Sequence, residues 1–541
     1  MKRYLKPNVV IEPLVERWYA WAHLLSPATA AMNIRNRHVA QMRSYLRAPA
    51  AHAAAASNPA MVGGPFFAYS HDRSAEVQGL LDQTLASQAD HIAFAEAVHA
   101  LTRMLEQVSD GETLERLYEQ VPEPLRGLVE LVYDIDHRPG FRFFETLLYH
   151  STIQTQQFQE LLLYSIAGDT ERDFILTTPR LPDSKKIFCK TPFSAPAVTY
   201  LSSSRWNPVD VNELANQLNV SLDQRDLFDK LFQEESPKRT WTAPAIDEVR
   251  VRYFGHACLL IETATCSIIT DPMLSYEYGN DLPRFTYSDI PDVIDYLLLT
   301  HNHQDHVICE TLLQLRGRVR NVIVPRDSGG ALQDPSLRLV LRNLGFDSVL
   351  SLGELDTVEI DGGVITGVPF VGEHGDLDVR SKLCYLVKIG SRRILLAVDT
   401  RVVDREIYRR VRDVLGGVDT LFLGMECAGA PLSYLYAPLM TYPICREADE
   451  ERRLNGSGFK EAQRLVDCFG PNEVYVYALG QEPWLQYIMG VSTGMASEAI
   501  TESDQLIAYC QEQGIDAERP YACREWLYPI ETNLTVQDLT I

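Results

Sequence analysis

The segment Leu299-Thr300-His301-Asn302-His303-Gln304-Asp305-His306 crowds three imidazoles and a carboxylate together directly after the apolar run Val293-Ile294-Asp295-Tyr296-Leu297-Leu298. The run reads as a buried strand closed by a polar cluster. Alternate side chains of an extended chain point the same way, so His301 and His303 converge on one point, while Asp305 and His306 fall in the next turn and serve a neighbouring one. A lone His-x-His occurs by chance in polar loops. The full set docked on a strand points instead to two adjacent metal ions.

These residues resemble the signature of the metallo-β-lactamase superfold, and the flanking motifs follow in the same order. Upstream lie Val249-Arg250-Val251-Arg252-Tyr253-Phe254-Gly255-His256-Ala257-Cys258 and Ser267-Ile268-Ile269-Thr270-Asp271-Pro272. Downstream lie Val368-Pro369-Phe370-Val371-Gly372-Glu373-His374-Gly375 and Ile394-Leu395-Leu396-Ala397-Val398-Asp399-Thr400. Each reads as a strand followed by a turn that carries a candidate ligand. The resemblance implies an α/β fold whose C-terminal half is an αββα sandwich, two sheets between layers of helices.

Hydrolases of this superfold bind zinc through further histidines, one at the third motif and one near the end of the domain. Here no histidine follows His374, and Val474-Tyr475-Val476-Tyr477-Ala478-Leu479-Gly480-Gln481-Glu482 offers only oxygen donors. At the third motif Glu373 takes the place of the usual histidine. With Glu373 as ligand, the first metal has His301, His303 and one carboxylate. The second has Asp305 and His306, with Asp399 able to bridge because a carboxylate has two oxygens and several lone pairs. Two histidines and a carboxylate with open positions suit non-haem iron that activates dioxygen better than hydrolytic zinc.

The glutamate, its spacing from His301 and Asp399, and the long N-terminal extension together resemble the diiron β-hydroxylase family typified by the enzyme of chloramphenicol biosynthesis. That resemblance implies two non-haem iron ions and dioxygen as co-substrate. The implied reaction is hydroxylation of the β-carbon of an amino acid held as a thioester on the carrier domain of a nonribosomal peptide synthetase, within antibiotic biosynthesis. It also implies a homodimer. Glu373 is the residue expected to separate this chemistry from hydrolysis. The competing reading makes Glu373 a carboxylate that orients a ligand and His374 the donor, since only one of two adjacent strand residues faces a given side. Asp271 is expected to support a ligating histidine. His256 fits either a place near the site or a satisfied core position, and Glu426 reads as a further acid beside the site.

Two other readings compete. One is a zinc hydrolase of the same fold acting on an ester, lactone or phosphodiester through metal-bound hydroxide. The other is a non-catalytic carrier-binding or scaffold module, in which the metal pattern should have decayed; it is intact.

A net charge of −23 with pI near 5.0 argues against nucleic-acid binding, which needs Lys and Arg to neutralise phosphates. Carrier domains tend to be acidic, so Arg401, Arg405, Arg409, Arg410 and Arg412 read either as a receiving face or as a solvated helix surface. The ten cysteines are scattered without a Cys-x-x-Cys pair, which fits reduced thiols in a cytoplasmic setting. Neither a signal peptide nor an apolar run of ~18 residues appears, so export and membrane spanning are not expected. No Gly-x-Gly-x-x-Gly follows a strand, so the electrons are expected from an external donor.

The N-terminal half reads as mixed and largely helical, with 1–245 as one domain for dimerisation or carrier docking and 246–541 as the metal domain. Val9 to Pro13 is an expected strand, and Ala48 to Met61 an expected low-complexity link. Helices are expected over Ser74 to Gln107, Leu125 to Tyr133, Phe143 to Ile166 and Val209 to Phe232, and Pro237 to Pro244 reads as the boundary.

Overall fold

Our computed structural model of the protein describes residues 2–58, 61, 64–108, 111–279, 281–489 and 497–530. The C-terminal half builds two seven-stranded sheets. In the first, Ser267–Thr270, Ile294–Leu298, Val319–Pro325 and Val349–Leu352 run parallel, and Cys258–Glu262, Glu248–Gly255 and Arg524–Pro529 extend it antiparallel. In the second, Arg392–Val398, Thr420–Gly424, Glu473–Tyr477 and Asp516–Glu518 run parallel beside an antiparallel set of Leu383–Ile389, Gly363–Pro369 and Thr357–Ile360.

Inner faces of both sheets share one core, in which Val251, Ile261, Leu298 and Ile323 meet Tyr385, Leu396, Phe422 and Tyr477. Strands buried on both faces read as nearly continuous apolar runs, which Thr420–Gly424 does, whereas Ile294–Leu298 is interrupted by the half-buried Asp295. Helices Arg405–Leu415, Phe459–Phe469 and Glu498–Glu512 cover the outer face of the second sheet. Helices Cys309–Leu315 and Leu337–Asn343, together with the N-terminal strands, cover that of the first. This is the expected αββα sandwich.

The N-terminal half carries a four-stranded sheet, Trp18–Tyr19, Val9–Val15, Gln159–Ser165 and Ile187–Lys190 in that order. The expected strand at Val9 is present. Several expected helices are not. Leu125 to Tyr133 ends in the strand Val129–Tyr133, paired in a hairpin with Pro139–Phe143. Phe143 to Ile166 is helical only over the single turn Glu145–Leu148 and the 3-10 turn Gln156–Phe158, and it ends in the strand Gln159–Ser165, whose Leu161-Leu162-Leu163-Tyr164 is fully buried. Periodicity alone does not separate such an apolar run from a buried helix, and pairing with Val9–Val15 decided it.

Ser74 to Gln107 is two helices, Ser74–Ser87 and Ala89–Leu105. They divide at Gln88, whose side chain, with those of Thr84 and Ser87, donates to the buried carboxylate of Glu16. Val209 to Phe232 is broken at Asn219, whose φ of 55° is left-handed, leaving helices Val211–Gln217 and Arg225–Asp229. The Ala-rich stretch is not a link over its first part: Pro49–Ala56 is helical and buries His52 and Ala55. Residues 59 and 60 of that stretch lie outside the described residues.

The two halves interlock through buried charge. Arg172 donates twice to Glu310, at 2.6 and 3.1 Å, and reaches Glu12 at 3.3 Å, while Arg180 also donates to Glu12. A segment of the C-terminal half, Ser433 to Leu439, packs into the N-terminal helical core.

Candidate metal centre

Strand ends from both sheets meet at one edge of the sandwich, and every sequence-marked ligand lies in a turn just beyond a strand. His301 and His303 follow Ile294–Leu298, Glu373 follows Gly363–Pro369, and Asp399 follows Arg392–Val398. The parallel neighbour Ser267–Thr270 ends on Asp271. Gly424, at the end of the next strand, lies so close that a Cβ there would sit 2.3 Å from Asp399 Oδ1. Only glycine leaves room for that carboxylate.

Three overlapping groups result: His301, His303 and Glu373; His301, His306 and Asp399; and His256, Asp305 and His306. Glu373 spans the first pair of histidines, with Oε1 against His303 Nδ1 and Oε2 3.1 Å from His301 Nε2. Asp399 Oδ2 lies 2.9 Å from His306 Nε2 and 3.7 Å from His301 Nε2, between the two ends of the cluster. Asp305 Oδ2 is 3.2 Å from His256 Nε2 and 3.7 Å from His306 Nε2. Asp271 joins none of these groups. Its Oδ2 is 2.9 Å from His306 Nδ1, which turns Nε2 inward, the supporting role expected of it.

Glu373 and His374 are not alternatives on a strand. The strand ends at Pro369, and Glu373 has a left-handed φ of 70° between Gly372 and Gly375, also at positive φ. In this turn both side chains face the site. Glu373 touches His301 and His303, whereas His374 turns Nδ1 away to the Tyr436 hydroxyl at 2.8 Å and leaves Nε2 3.5 Å from Glu373 Oε2.

His256 was legible only as an open choice. It sits in the tight turn between Glu248–Gly255 and Cys258–Glu262, with Gly255 at φ 109° and His256 at φ 49°. It joins Asp305 and His306 as the nitrogen donor that the segment after His374 does not supply. From the terminal segment Glu482 reaches the same turn, accepting from Tyr253 Oη and the His256 backbone N–H. The signal available in sequence was the missing histidine after His374 combined with a Gly-His turn at a strand end. Glu426 belongs to none of the groups, but it lies beside the centre as expected: burial and the neighbouring charges of Asp399, Asp305 and Glu373 push its carboxyl well above the ordinary value.

Electrostatics favour a cation at the centre. Burial works against a charged His306 imidazole, yet the charges of Asp305 and Asp399 override it and hold its pKa well above the ordinary value. Side-chain atoms His256 Nε2, His301 Nε2, His306 Nε2, Glu373 Oε2 and Asp399 Oδ1 are buried and have no hydrogen-bond partner. Buried polar atoms rarely go unpaired, and when several orphans converge on one point the missing partner is a metal.

Comparison with known proteins agrees with this geometry. Residues 4–237 match the diiron non-heme β-hydroxylase N-terminal domain, and residues 250–420 match the β-lactamase superfamily domain. The 4-amino-L-phenylalanyl-[CmlP-peptidyl-carrier-protein] 3-hydroxylase of Streptomyces venezuelae is 36% identical over 525 residues, 96% of this chain and 98% of the relative. The chain belongs to the diiron non-heme β-hydroxylase family.

The crystal structure of CmlA, a diiron β-hydroxylase from Streptomyces venezuelae, matches this β-hydroxylase with a TM-score of 0.91 at 35% identity, covering 97% of this chain and 99% of that one. A glutamate-to-aspartate variant of CmlA matches at 0.89. The family is an oxygen-dependent hydroxylase family, which decides against the zinc-hydrolase and scaffold readings. Two non-haem irons are its metals, and the orphaned nitrogen and oxygen atoms above are a donor set that fits them. All ten cysteines of this β-hydroxylase are free. Among the described residues no helix is long and apolar enough to cross a membrane.

Proposed function

We propose that this β-hydroxylase acts on the β-carbon of an amino acid tethered as a thioester to a carrier domain of a nonribosomal peptide synthetase. The 3-hydroxylase relative, similar over nearly the whole of both chains, is named for a peptidyl-carrier substrate. The observation that carries the reading is Glu373 seated across His301 and His303, an oxygen donor where a hydrolytic zinc site has nitrogen.

In this reading His301, His303 and Glu373 would hold one iron and His256, Asp305 and His306 the other, with Asp399 placed within reach of both groups. When bound, the irons supply the oxidising power that dioxygen and two electrons generate for breaking a C–H bond. The chain's own residues set the ligand geometry and the access. Asp271 fixes the tautomer of His306, and Asp305, with its side chain 16% exposed, marks the open side of the centre. His374 and Tyr436 close the opposite side, both being buried. Glu373, with one oxygen beside His303 and the other beside His301, is the carboxylate that could bind through one oxygen or two.

Residues 1–245 form the docking or dimerisation domain and 246–541 the metal domain, the two exchanging contacts at Ser433 to Leu439 and through Arg172. The basic helix is a weaker candidate for receiving the carrier, because Arg409 is paired with Glu406 and Asp413 and Arg401 with Glu461. The electron donor is a separate protein or reductant, and the working form is a cytoplasmic homodimer. Mass spectrometry of a panel of aminoacyl-carriers, incubated with protein, reductant and oxygen, tests the reading: one carrier should gain one oxygen atom, and Glu373→His should abolish the gain. Retained hydroxylation in Glu373→His, or no gain on any carrier, would refute it.

A further inference from the structure

His374 is buried beside the centre and ligates nothing in the scheme above, yet its Nε2 has no hydrogen-bond partner. The nearest acceptor is Glu373 Oε2, 3.5 Å away, itself without a partner. The other ring nitrogen, Nδ1, lies 2.8 Å from the Tyr436 hydroxyl, whose one hydrogen-bonded contact among the described residues is this imidazole. If the phenol donates to Nδ1, the hydrogen of a neutral His374 is left on Nε2. Nε2 is then 3.5 Å from the half of Glu373 that is not committed to His303, a gap that a small side-chain movement turns into a hydrogen bond.

We propose that His374, with its tautomer set by Tyr436, is the positioning residue that decides whether Glu373 offers the metal one oxygen or two. Oε1 sits against His303, and Oε2 is 3.1 Å from His301 Nε2. Donor atoms that share one metal at bonds of about 2.1 Å are about 3 Å apart, so both oxygens lie within reach of the same ion. With Nε2–H donating to Oε2, Glu373 is held to one bond and a coordination position stays open. Rotation of Oε2 away from His374 fills that position. The inference rests on the assignment of Glu373 as a ligand under the proposed function and adds the group that sets its denticity.

Tyr436 is held from outside the metal domain. It lies on the short helix Ser433–Tyr436, beyond the residues that match the β-lactamase superfamily. Asn36 donates to the Pro438 carbonyl at 2.6 Å, and Arg37 to the carbonyls of Tyr434 and Leu435. Both come from the π-helical turn Ile34–His38, a rare geometry that recurs at functional sites. The ring of the buried His23 meets Tyr436 edge-on at 6.1 Å. The N-terminal half thus clamps the residue that orients His374.

The test uses the full chain loaded with cobalt(II), whose visible spectrum reports coordination number without substrate, alongside iron content and hydroxylation. Tyr436→Phe should keep two metals per chain, change the cobalt band and lower kcat by about 10-fold or more, with KM for the carrier nearly unchanged. His374→Gln, which retains an N–H donor, should recover most of the wild-type band, while His374→Met should not. If Tyr436→Phe and His374→Met leave both the cobalt band and kcat as in wild type, His374 only packs and the proposal fails. If His374→Gln loses one metal per chain, His374 is a ligand and the proposal fails as well. A changed band in a protein that hydroxylates no carrier would leave this inference standing and refute only the substrate assignment.

Discussion

Asp271→Asn is the sharpest test of how the second half of the centre is held. Asp271 Oδ1 accepts the Thr300 backbone N–H at 2.8 Å, while Oδ2 accepts the Thr300 hydroxyl and His306 Nδ1–H, the latter at 2.9 Å. An asparagine keeping its oxygen on the backbone N–H turns an NH2 toward His306, so the imidazole must surrender its Nδ1 proton and carry it on Nε2 instead. Nε2 is the atom 2.9 Å from Asp399, and once protonated it binds no metal. Flipping the amide only moves the donor clash onto the Thr300 backbone. Residue 271 has a left-handed φ of 34°, which asparagine tolerates, so the chain should fold. Loss of such an outer partner costs about 10- to 100-fold in metal affinity, or roughly 1.4 to 2.7 kcal/mol. Titration of metal-free protein with iron(II) or cobalt(II) against a competing chelator should show one site unchanged and one weakened by that factor. Two sites of wild-type affinity would refute the tautomer argument.

Arg172→Met removes the guanidinium between Glu310 and Glu12 and strands a buried carboxylate, a loss of about 3 to 5 kcal/mol. If the 541-residue chain unfolds as one unit, at about 2.1 cal/mol/K per residue that is about 3 to 4 °C in Tm by thermal melt, and Arg172→Met with Glu310→Gln should recover part of it. For Glu12, burial pushes the carboxyl up, but Arg180 and Arg172 more than reverse this and hold it at about 2 against an ordinary 4.5. A depressed carboxyl contributes stability above its unfolded pKa and loses it as pH falls toward the folded one. Glu12→Gln should therefore melt below wild type at pH 7, by about 3 kcal/mol in stability, with the gap closing below pH 4.5 in melts run at successive pH values.

The parts of the site legible in the chain were those in which neighbours in sequence are neighbours in space. His301, His303, Asp305 and His306 share one strand end, and their spacing alone implied two metals. Glu373 and Asp399 were found because each ends an apolar strand whose order matched a known plan. The choice between Glu373 and His374 was framed on strand alternation, and a left-handed turn removed that premise by aiming both side chains inward. Tyr436 carried no signal, since its contact with His374 spans 62 residues and depends on a segment clamped by the other half of the chain. In the N-terminal half, the expected helices at Leu125 and Phe143 failed for a related reason: hairpin and sheet partners outweighed local apolar spacing.

What the amino-acid order determined without help was the local chemistry: a buried strand and a dense imidazole turn with the spacing for two metals; the third-motif oxygen donor and the class of reaction followed from its resemblance to a known family. The tertiary structure decided everything that depends on long-range pairing. It brought His256 from an early hairpin to Asp305 and His306, set Asp271 behind His306, and placed an N-terminal π-helical turn behind Tyr436. The physical reason is that side-chain spacing along one strand is a covalent property, whereas the meeting of separate strand ends is set by how two sheets bury their apolar faces against each other.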